Sequence, residues 1–175
     1  MYRLPPAAEE PEFGTLLRYW ELKRRGALLP GRADIDVVDL RGLMPNLLLL
    51  DVVPEGEALR FRYRVAGTAF ANLVGRDVTG LYVEEIGPPD RTMPIVNALA
   101  AIVRSGRPCF FAGRPTLQSD RYSVTKRLGV PLATDGRTVD MILAVWLAQI
   151  RPITEFRAAI LPERTEGEAI LLDDQ

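Results

Sequence analysis

The fold is decided by the stretch YSVTKRLGVPLATDGRTVDMILAVWLA, which runs from Tyr122 to Ala148. Its first half, up to Leu132, alternates in polarity as a strand with one buried face does, and its polar face carries Ser123, Thr125 and Arg127. An Asp-Gly pair at 135–136 then supplies a tight turn of the kind that joins antiparallel strands. The second half, Thr138–Ala148, is apolar on both faces, which predicts a central strand covered on both sides.

The sequence before this hairpin predicts three more strands and a helical middle segment. The three strands are apolar, alternating and aromatic-rich runs, namely Leu47–Val53, Leu59–Ala66 and Arg107–Leu117. Between them, a short helical turn carries Phe70 and Leu73, and Pro94–Ser105 has the apolar stripe of a longer helix. With Tyr122–Leu132 and Thr138–Ala148, these runs predict an α+β fold with one five-stranded antiparallel sheet.

The two ends of the chain differ from its middle in composition. Residues 1–12 contain three prolines and three glutamates and are predicted to form a flexible lead. Residues 13–150 are predicted to form one domain that opens with a helix at Phe13–Arg25, because apolar residues recur there at helical spacing. Residues 151–175 are Glu-rich and weakly periodic, and are predicted to form a tail that packs on the domain or on a partner.

The charge of the chain argues against two classes of partner. It has 22 Lys and Arg against 23 Asp and Glu, whereas nucleic acids and anionic membranes attract a concentrated basic excess. The longest apolar run, Met141–Ala148, is too short to cross a bilayer, and residues 1–12 lack the apolar segment of a signal peptide. We therefore expect a cytoplasmic protein with no nucleic-acid partner and no membrane insertion.

The chain contains no histidine and one cysteine, Cys109. Catalytic arrangements of the Ser-His-Asp and Cys-His kind need an imidazole to accept the proton of the nucleophile. A zinc site needs several nitrogen or sulfur ligands. We therefore predict no catalytic residue and no metal site, although a carboxylate-only site stays open in principle.

Three segments carry a family resemblance. Arg18–Val52 contains a Tyr-Trp pair, then Pro-x-Arg-x-Asp-x-Asp, Leu-Met-Pro and an apolar strand that runs into Asp51. Phe61–Gly80 contains an Ala-Gly-Thr turn followed by Gly-Arg-Asp-x-Thr-Gly, and Lys126–Val145 is a closing hairpin. Together these segments resemble a bacterial family of small, stand-alone PAS-like proteins that lack an attached output domain.

The resemblance implies that the first and last strands lie at the centre of the sheet. It also implies a sensory domain for ligands, light, redox state or partners, which signals through its flanking helices. Haem-binding members use a histidine that this chain lacks, and flavin photosensors use a cysteine in Asn-Cys-Arg, whereas Cys109 lies in RPCFFAG. Haem and a photoactive flavin are therefore not expected, and the identity of any cofactor stays unknown.

Two sets of residues are candidate sites. A pocket for a small ligand is predicted between the sheet and residues 68–105, although a fully packed core is the alternative; its candidate lining is Tyr63, Phe70, Leu73, Leu99, Val103 and Trp146. A homodimer is predicted through the apolar side of the first helix, although the same side chains could instead cover the chain's own sheet; they are Phe13, Leu16, Leu17 and Trp20.

The function expected from these patterns is that of a sensory, signalling or adaptor domain. It would act through an unidentified protein partner, with or without a small apolar ligand, and would not be an enzyme. The alternative is a small-molecule carrier or a carboxylate-based enzyme on the same fold. A third hypothesis is a structural subunit whose tail, residues 151–175, completes another protein.

Overall fold

The computed structural model describes residues 1–113, 116–117, 121–152, 154 and 169–174. Its helices are α1 (Pro11–Lys23), α2 (Thr68–Val74) and α3 (Pro89–Ser105). Its strands are β1 (Leu47–Glu55), β2 (Ala58–Ala66), β3 (Cys109–Ala112), β4 (Thr116–Leu117), β5 (Arg121–Leu132), β6 (Met141–Pro152) and β7 (Ala169–Leu171). Short 3-10 turns occupy Arg32–Asp34, Arg41–Asn46 and Val83–Glu85.

The strands form one antiparallel sheet in the order β2-β1-β6-β5-β3-β7, and β4 pairs with β5 beyond the end of β3. The hairpin of β5 and β6 is confirmed, with Leu128 opposite Val145. β1 and β6 pair in the interior of the sheet, as the resemblance implied for the first and last predicted strands, although the middle pair of the full order is β6 and β5. The α+β prediction is therefore confirmed, although the number of strands differs from five.

The difference in strand number has two sources. The run predicted as one strand, Arg107–Leu117, forms two separate strands, β3 and β4, on either side of Gly113. The tail adds β7, which pairs with β3 at the edge of the sheet. β7 is only three residues long and two of them are half-buried, so its alternation is too short to identify from sequence.

Helices cover both faces of the sheet, so it has two apolar cores. On one face, α1 packs on Leu47 and Leu49, and on the other α2 and α3 pack on Leu48 and Leu50. β6 contributes to both cores: Ile142, Ala144 and Trp146 lie on the α3 side, whereas Leu143 and Val145 lie on the α1 side. This confirms the prediction that the last strand of the hairpin is covered on both sides.

Helix α1 covers the chain's own sheet with the residues that were predicted to form a dimer contact. It runs from Pro11 to Lys23 rather than from Phe13 to Arg25. Phe13, Leu16 and Trp20 have no exposed surface and Leu17 is 4% exposed. The indole Nε1 of Trp20 donates a hydrogen bond of 2.7 Å to the carbonyl of Pro131. The prediction that these four side chains form an interface is therefore corrected, because their contacts are made within the chain.

Residues at both ends of the chain contact the sheet and α1. Ala8 is buried, and Glu10 accepts hydrogen bonds of 2.8 Å from Lys126 of β5 and from Gln149 of β6. Tyr2 forms a bridge with Asp174. The lead predicted to be flexible, residues 1–12, therefore has defined contacts over much of its length. No helix in the described ranges is long and apolar enough to cross a membrane.

Candidate ligand-binding site

A cavity of about 30 Å³ lies between the sheet and α3. Its walls are mostly apolar and include Leu48 of β1, Ile95, Leu99 and Ile102 of α3, and Phe111 of β3. Gly129 of β5 also lines the cavity, and a Cβ atom at that position would be 2.6 Å from Cδ1 of Ile102, the end of a side chain that can shift. The space is large enough for about one or two water molecules, so a larger ligand requires some movement of α3.

Two larger grooves open beside α1, of about 560 and 440 Å³. Both are open to solvent, whereas sites for small molecules enclose most of the ligand surface. One is lined by Glu12, Asp39 and Arg41, the other by Glu21 and Arg24, among other residues. The cavity on the α3 side is therefore the better candidate site despite its smaller volume.

The structure brings together most of the residues predicted to line a pocket. Tyr63 and Leu99 line the cavity, and Phe70 joins Tyr63 to Trp146 in an aromatic row with ring centroids 5.4 and 5.1 Å apart. Val103 is half-buried and packs against the same core. Their role in ligand binding stays a prediction.

Leu73 is the exception among the predicted lining residues, because its side chain is 50% exposed. Helix α2 turns Phe70 and Val74, which are four residues apart, toward the core. Leu73, three residues after Phe70, lies at the border of that face and is turned toward solvent. Its assignment to the pocket is corrected.

Arg127 is the charged residue that lines the cavity. On β5, Leu128 and Val130 face α1, so Arg127 and Gly129 face α3. The residue is half-buried, and its guanidinium makes no hydrogen bond or ion pair with the part of the chain that the structure describes. Burial lowers the pKa of Arg127 to about 10, so the side chain is still charged at neutral pH.

Two further hydrogen-bond donors lie on the same side of the sheet. Trp146 is directly opposite Arg127 in the β5–β6 pairing and is 2% exposed, and its Nε1 has no acceptor among the described residues. The hydroxyl of Tyr63 likewise has no hydrogen-bond partner in the described ranges. Burial raises the pKa of Tyr63 to about 12, against a smaller opposite effect of the Arg127 charge. Trp146 and Tyr63 therefore each present a hydrogen-bond donor that has no acceptor in the described part of the chain.

The alternation in the sequence assigned Arg127 to the polar face of β5, and so did not predict it as part of the core. That interpretation assumed that the sheet has one covered face at this strand. Because α1 covers the apolar face and α3 covers the other, a residue on the polar face also becomes part of the interior. A signal for this was present in the sequence, since the neighbouring strand is apolar on both faces.

Cys109 also lines the cavity and is 2% exposed. Burial raises the pKa of its thiol to about 12, well above the ordinary value for cysteine. A thiol that stays protonated at neutral pH is a poor nucleophile and a poor redox sensor. Cys109 therefore contributes to the wall of the cavity rather than to chemistry.

The fold and this cavity can be set beside known proteins. A family model described as PAS domain matches residues 9–147. The chain belongs to the PAS domain family. A search of curated proteins found no match. PAS domains are typically sensory domains without enzymatic activity, so a sensory or signalling type of function follows for this chain at that level of detail.

The match includes the whole cavity of this PAS domain and does not include β7, which lies at 169–171. β7 therefore extends the sheet of the PAS domain beyond the matched segment. Its partner, β3, carries Cys109 and Phe111 on the wall of the cavity. The additional strand is thus one strand away from the candidate ligand site.

The arginines of β2 take part in ion pairs on the outside of the PAS domain. Asp51, which is 8% exposed, accepts hydrogen bonds from Arg62 at 3.0 Å and from Arg64 at 2.6 Å. Arg60 pairs with Glu84. Arg127 differs from all three because its guanidinium has no such partner in the described part of the chain. No group of three or more His, Cys, Asp and Glu side chains within the described ranges could hold a metal ion.

Proposed function

We propose that this PAS domain is a sensory or adaptor module that binds a small ligand in the cavity between the sheet and α3. The observation that supports the proposal is Arg127, a cation that lines an otherwise apolar cavity and has no ion-pair partner in the described part of the chain. A charge in apolar surroundings costs free energy unless it is paired. A ligand that supplies an acceptor would account for the retention of this charge.

The signal would pass from the cavity to the surface through two routes. A ligand larger than the cavity must displace α3, which covers it. Cys109 and Phe111 of β3 line the cavity, so the same ligand would press on β3 and, through it, on β7. A change in the position of α3 or β7 would then be read by a protein partner, or by a second copy of the chain.

The homodimer and the cytoplasmic location remain part of this proposal, as does the division into residues 1–12, 13–150 and 151–175. Light scattering at increasing protein concentration tests the homodimer directly. Because the apolar side of α1 is buried within the chain, a dimer would have to use other surfaces. A protein that stays monomeric at high concentration would remove the homodimer and leave the ligand site untouched.

Native mass spectrometry of freshly purified protein tests the ligand site. We expect a bound mass on the wild-type chain that is lost in Ala98→Leu, because Ala98 lines the cavity and a larger side chain fills it. Asn97→Leu is the matched control, since Asn97 is exposed on the same helix. Equal retention of the mass by both variants would contradict the proposed site, and so would a wild-type protein that retains nothing from any expression medium.

The alternative functions differ in how they fit this cavity. A carboxylate-based enzyme gains no support, because no Asp or Glu is among the described residues that line the cavity. A small-molecule carrier would use the same site as the proposed sensor. A sensor differs from a carrier in having a protein partner whose binding changes when the ligand is bound.

A further inference from the structure

Arg127 and Tyr63 line the cavity, and Trp146 lies opposite Arg127 on the neighbouring strand. The guanidinium of Arg127, the hydroxyl of Tyr63 and the indole N–H of Trp146 can each donate a hydrogen bond. None of the three has an acceptor in the described ranges. The other residues on the cavity wall are apolar, apart from the protonated thiol of Cys109. The local charge is therefore positive and has no counterion in the described part of the chain.

We propose that the ligand of this site is a small organic monocarboxylate, bound through its carboxylate to Arg127 and through its apolar body to α3. The proposal rests on the function proposed above and names the chemical class of the ligand. A carboxylate has two oxygens that match the fork of a guanidinium, and both are acceptors. Tyr63 also lines the cavity and can supply a further donor, whereas Trp146 lies opposite Arg127 on β6 and is not among the lining residues.

The walls of the cavity favour a monocarboxylate over a phosphate. A phosphate group carries more than one negative charge at neutral pH, whereas the cavity offers a single cation in apolar surroundings. The apolar side chains of Ile95, Leu99 and Ile102 provide a surface for a hydrocarbon body next to that cation. The present volume of about 30 Å³ holds about one or two water molecules, so even a short acid requires some displacement of α3, and a longer acid requires more.

The competing explanation is that Arg127 extends its guanidinium to solvent and has no ligand. Long cationic side chains often bury their methylenes and keep the charge in water. Under that explanation, replacement of Arg127 would not change the affinity for any small molecule. The two explanations therefore predict different effects of an Arg127 replacement on the affinity for a small acid.

Isothermal titration calorimetry with the sodium salts of acetate, propionate, butyrate and hexanoate, at constant ionic strength, tests the proposal. The neutral amides of the same acids serve as ligand controls, because they keep the shape and lose the charge. We expect saturable binding of at least one acid to the wild-type chain, with affinity at least about tenfold weaker for its amide and for Arg127→Met. Arg104→Gln is the matched protein control, since Arg104 is exposed on α3, and it should bind as wild type does.

Two results would overturn the carboxylate assignment. The first is equal binding of acid and amide, or equal binding by wild type and Arg127→Met. The second is no binding of any acid to the wild-type chain. Neither result decides the proposed function, because native mass spectrometry reports a retained ligand whatever its charge. If Arg127→Met does not fold, Arg127→Lys replaces it, since it keeps the charge and loses the fork, and it should weaken the acid more than the amide.

Discussion

Single residues on the α3 side of the sheet carry most of the functional argument. Arg127 is charged and has no ion-pair partner in the described part of the chain. A charge in apolar surroundings costs free energy that an apolar side chain would not. Cys109 and Tyr63 are uncharged at neutral pH, so their raised pKa values carry no such cost.

The stability of the protein should depend on pH through Cys109. Its pKa is about 12 in the folded chain and near 9 when the thiol is exposed, so between these values the unfolded chain loses a proton that the folded chain keeps. The free energy of unfolding should therefore fall with rising pH there, by at most about 1.4 kcal/mol per pH unit from this group. Urea unfolding of wild type and Cys109→Ala measures it: the variant should show a shallower slope above pH 9, whereas parallel slopes would contradict the assignment.

The two tryptophans should respond differently to the same substitution. Trp20→Phe removes the donor that satisfies the carbonyl of Pro131, and it should lower the free energy of unfolding by about 1–3 kcal/mol beyond the loss of packing. Trp146→Phe removes a donor that has no acceptor in the described ranges, so it should cost packing alone. Both indoles are buried, which makes each variant the control for the other. Equal losses in urea unfolding would refute this difference.

At the level of elements, the sequence predicts those strands whose position depends on the pattern of their own residues. The β5–β6 hairpin follows from the alternation and the Asp-Gly turn, and β1 and β2 lie within two residues of their predicted bounds. β7 could not be predicted, because a three-residue edge strand depends on its pairing with β3 and not on its own sequence. The apolar side of α1 fits a dimer contact and a core equally well, and only tertiary structure separates the two.

The candidate site was predictable in part for the same reason. The apolar members Tyr63 and Leu99 follow from stripes on elements that must face each other. The polar residue Arg127 could not be predicted as a lining residue, because the sequence does not show that a helix also covers the polar face of β5. Leu73 was assigned to the pocket wrongly, because a helix of only two turns contains too few apolar residues to show which of them face the core.

The turn that joins β2 to α2 should not tolerate a side chain at Gly67. A Cβ atom there would lie 2.3 Å from the carbonyl oxygen of Pro45 and 2.4 Å from that of Met44, and backbone cannot move away as a flexible side chain can. Gly67→Ala should therefore lower the free energy of unfolding by about 3 kcal/mol in urea titration. Gly42→Ala is the matched control, because nothing lies within 4 Å of its added Cβ. A Gly67→Ala variant as stable as this control would show that the turn is placed wrongly.

At the scale of the whole molecule, the sheet separates two regions with different tasks. The α1 side holds the ends of the chain together: Tyr2 bridges Asp174, and Glu10 accepts hydrogen bonds from Lys126 and Gln149. The α3 side holds the cavity and Arg127. If a ligand opens this cavity, the elements that line or adjoin it, α3, β3 and β7, are the ones expected to move.

The central claim is that the cavity on the α3 side binds a small carboxylate at Arg127, and the two indole N–H groups allow a test of it. Trp146 lies on that side, and Trp20 lies on the α1 side with its N–H bonded to Pro131. The Trp20→Phe and Trp146→Phe variants assign the two signals in a proton–nitrogen correlation spectrum. On titration with each of acetate, propionate, butyrate and hexanoate, we expect at least one acid to move the Trp146 signal to saturation, while the Trp20 signal stays in place and neither signal moves in Arg127→Met. A Trp146 signal that does not move, or that moves together with that of Trp20, would contradict the account.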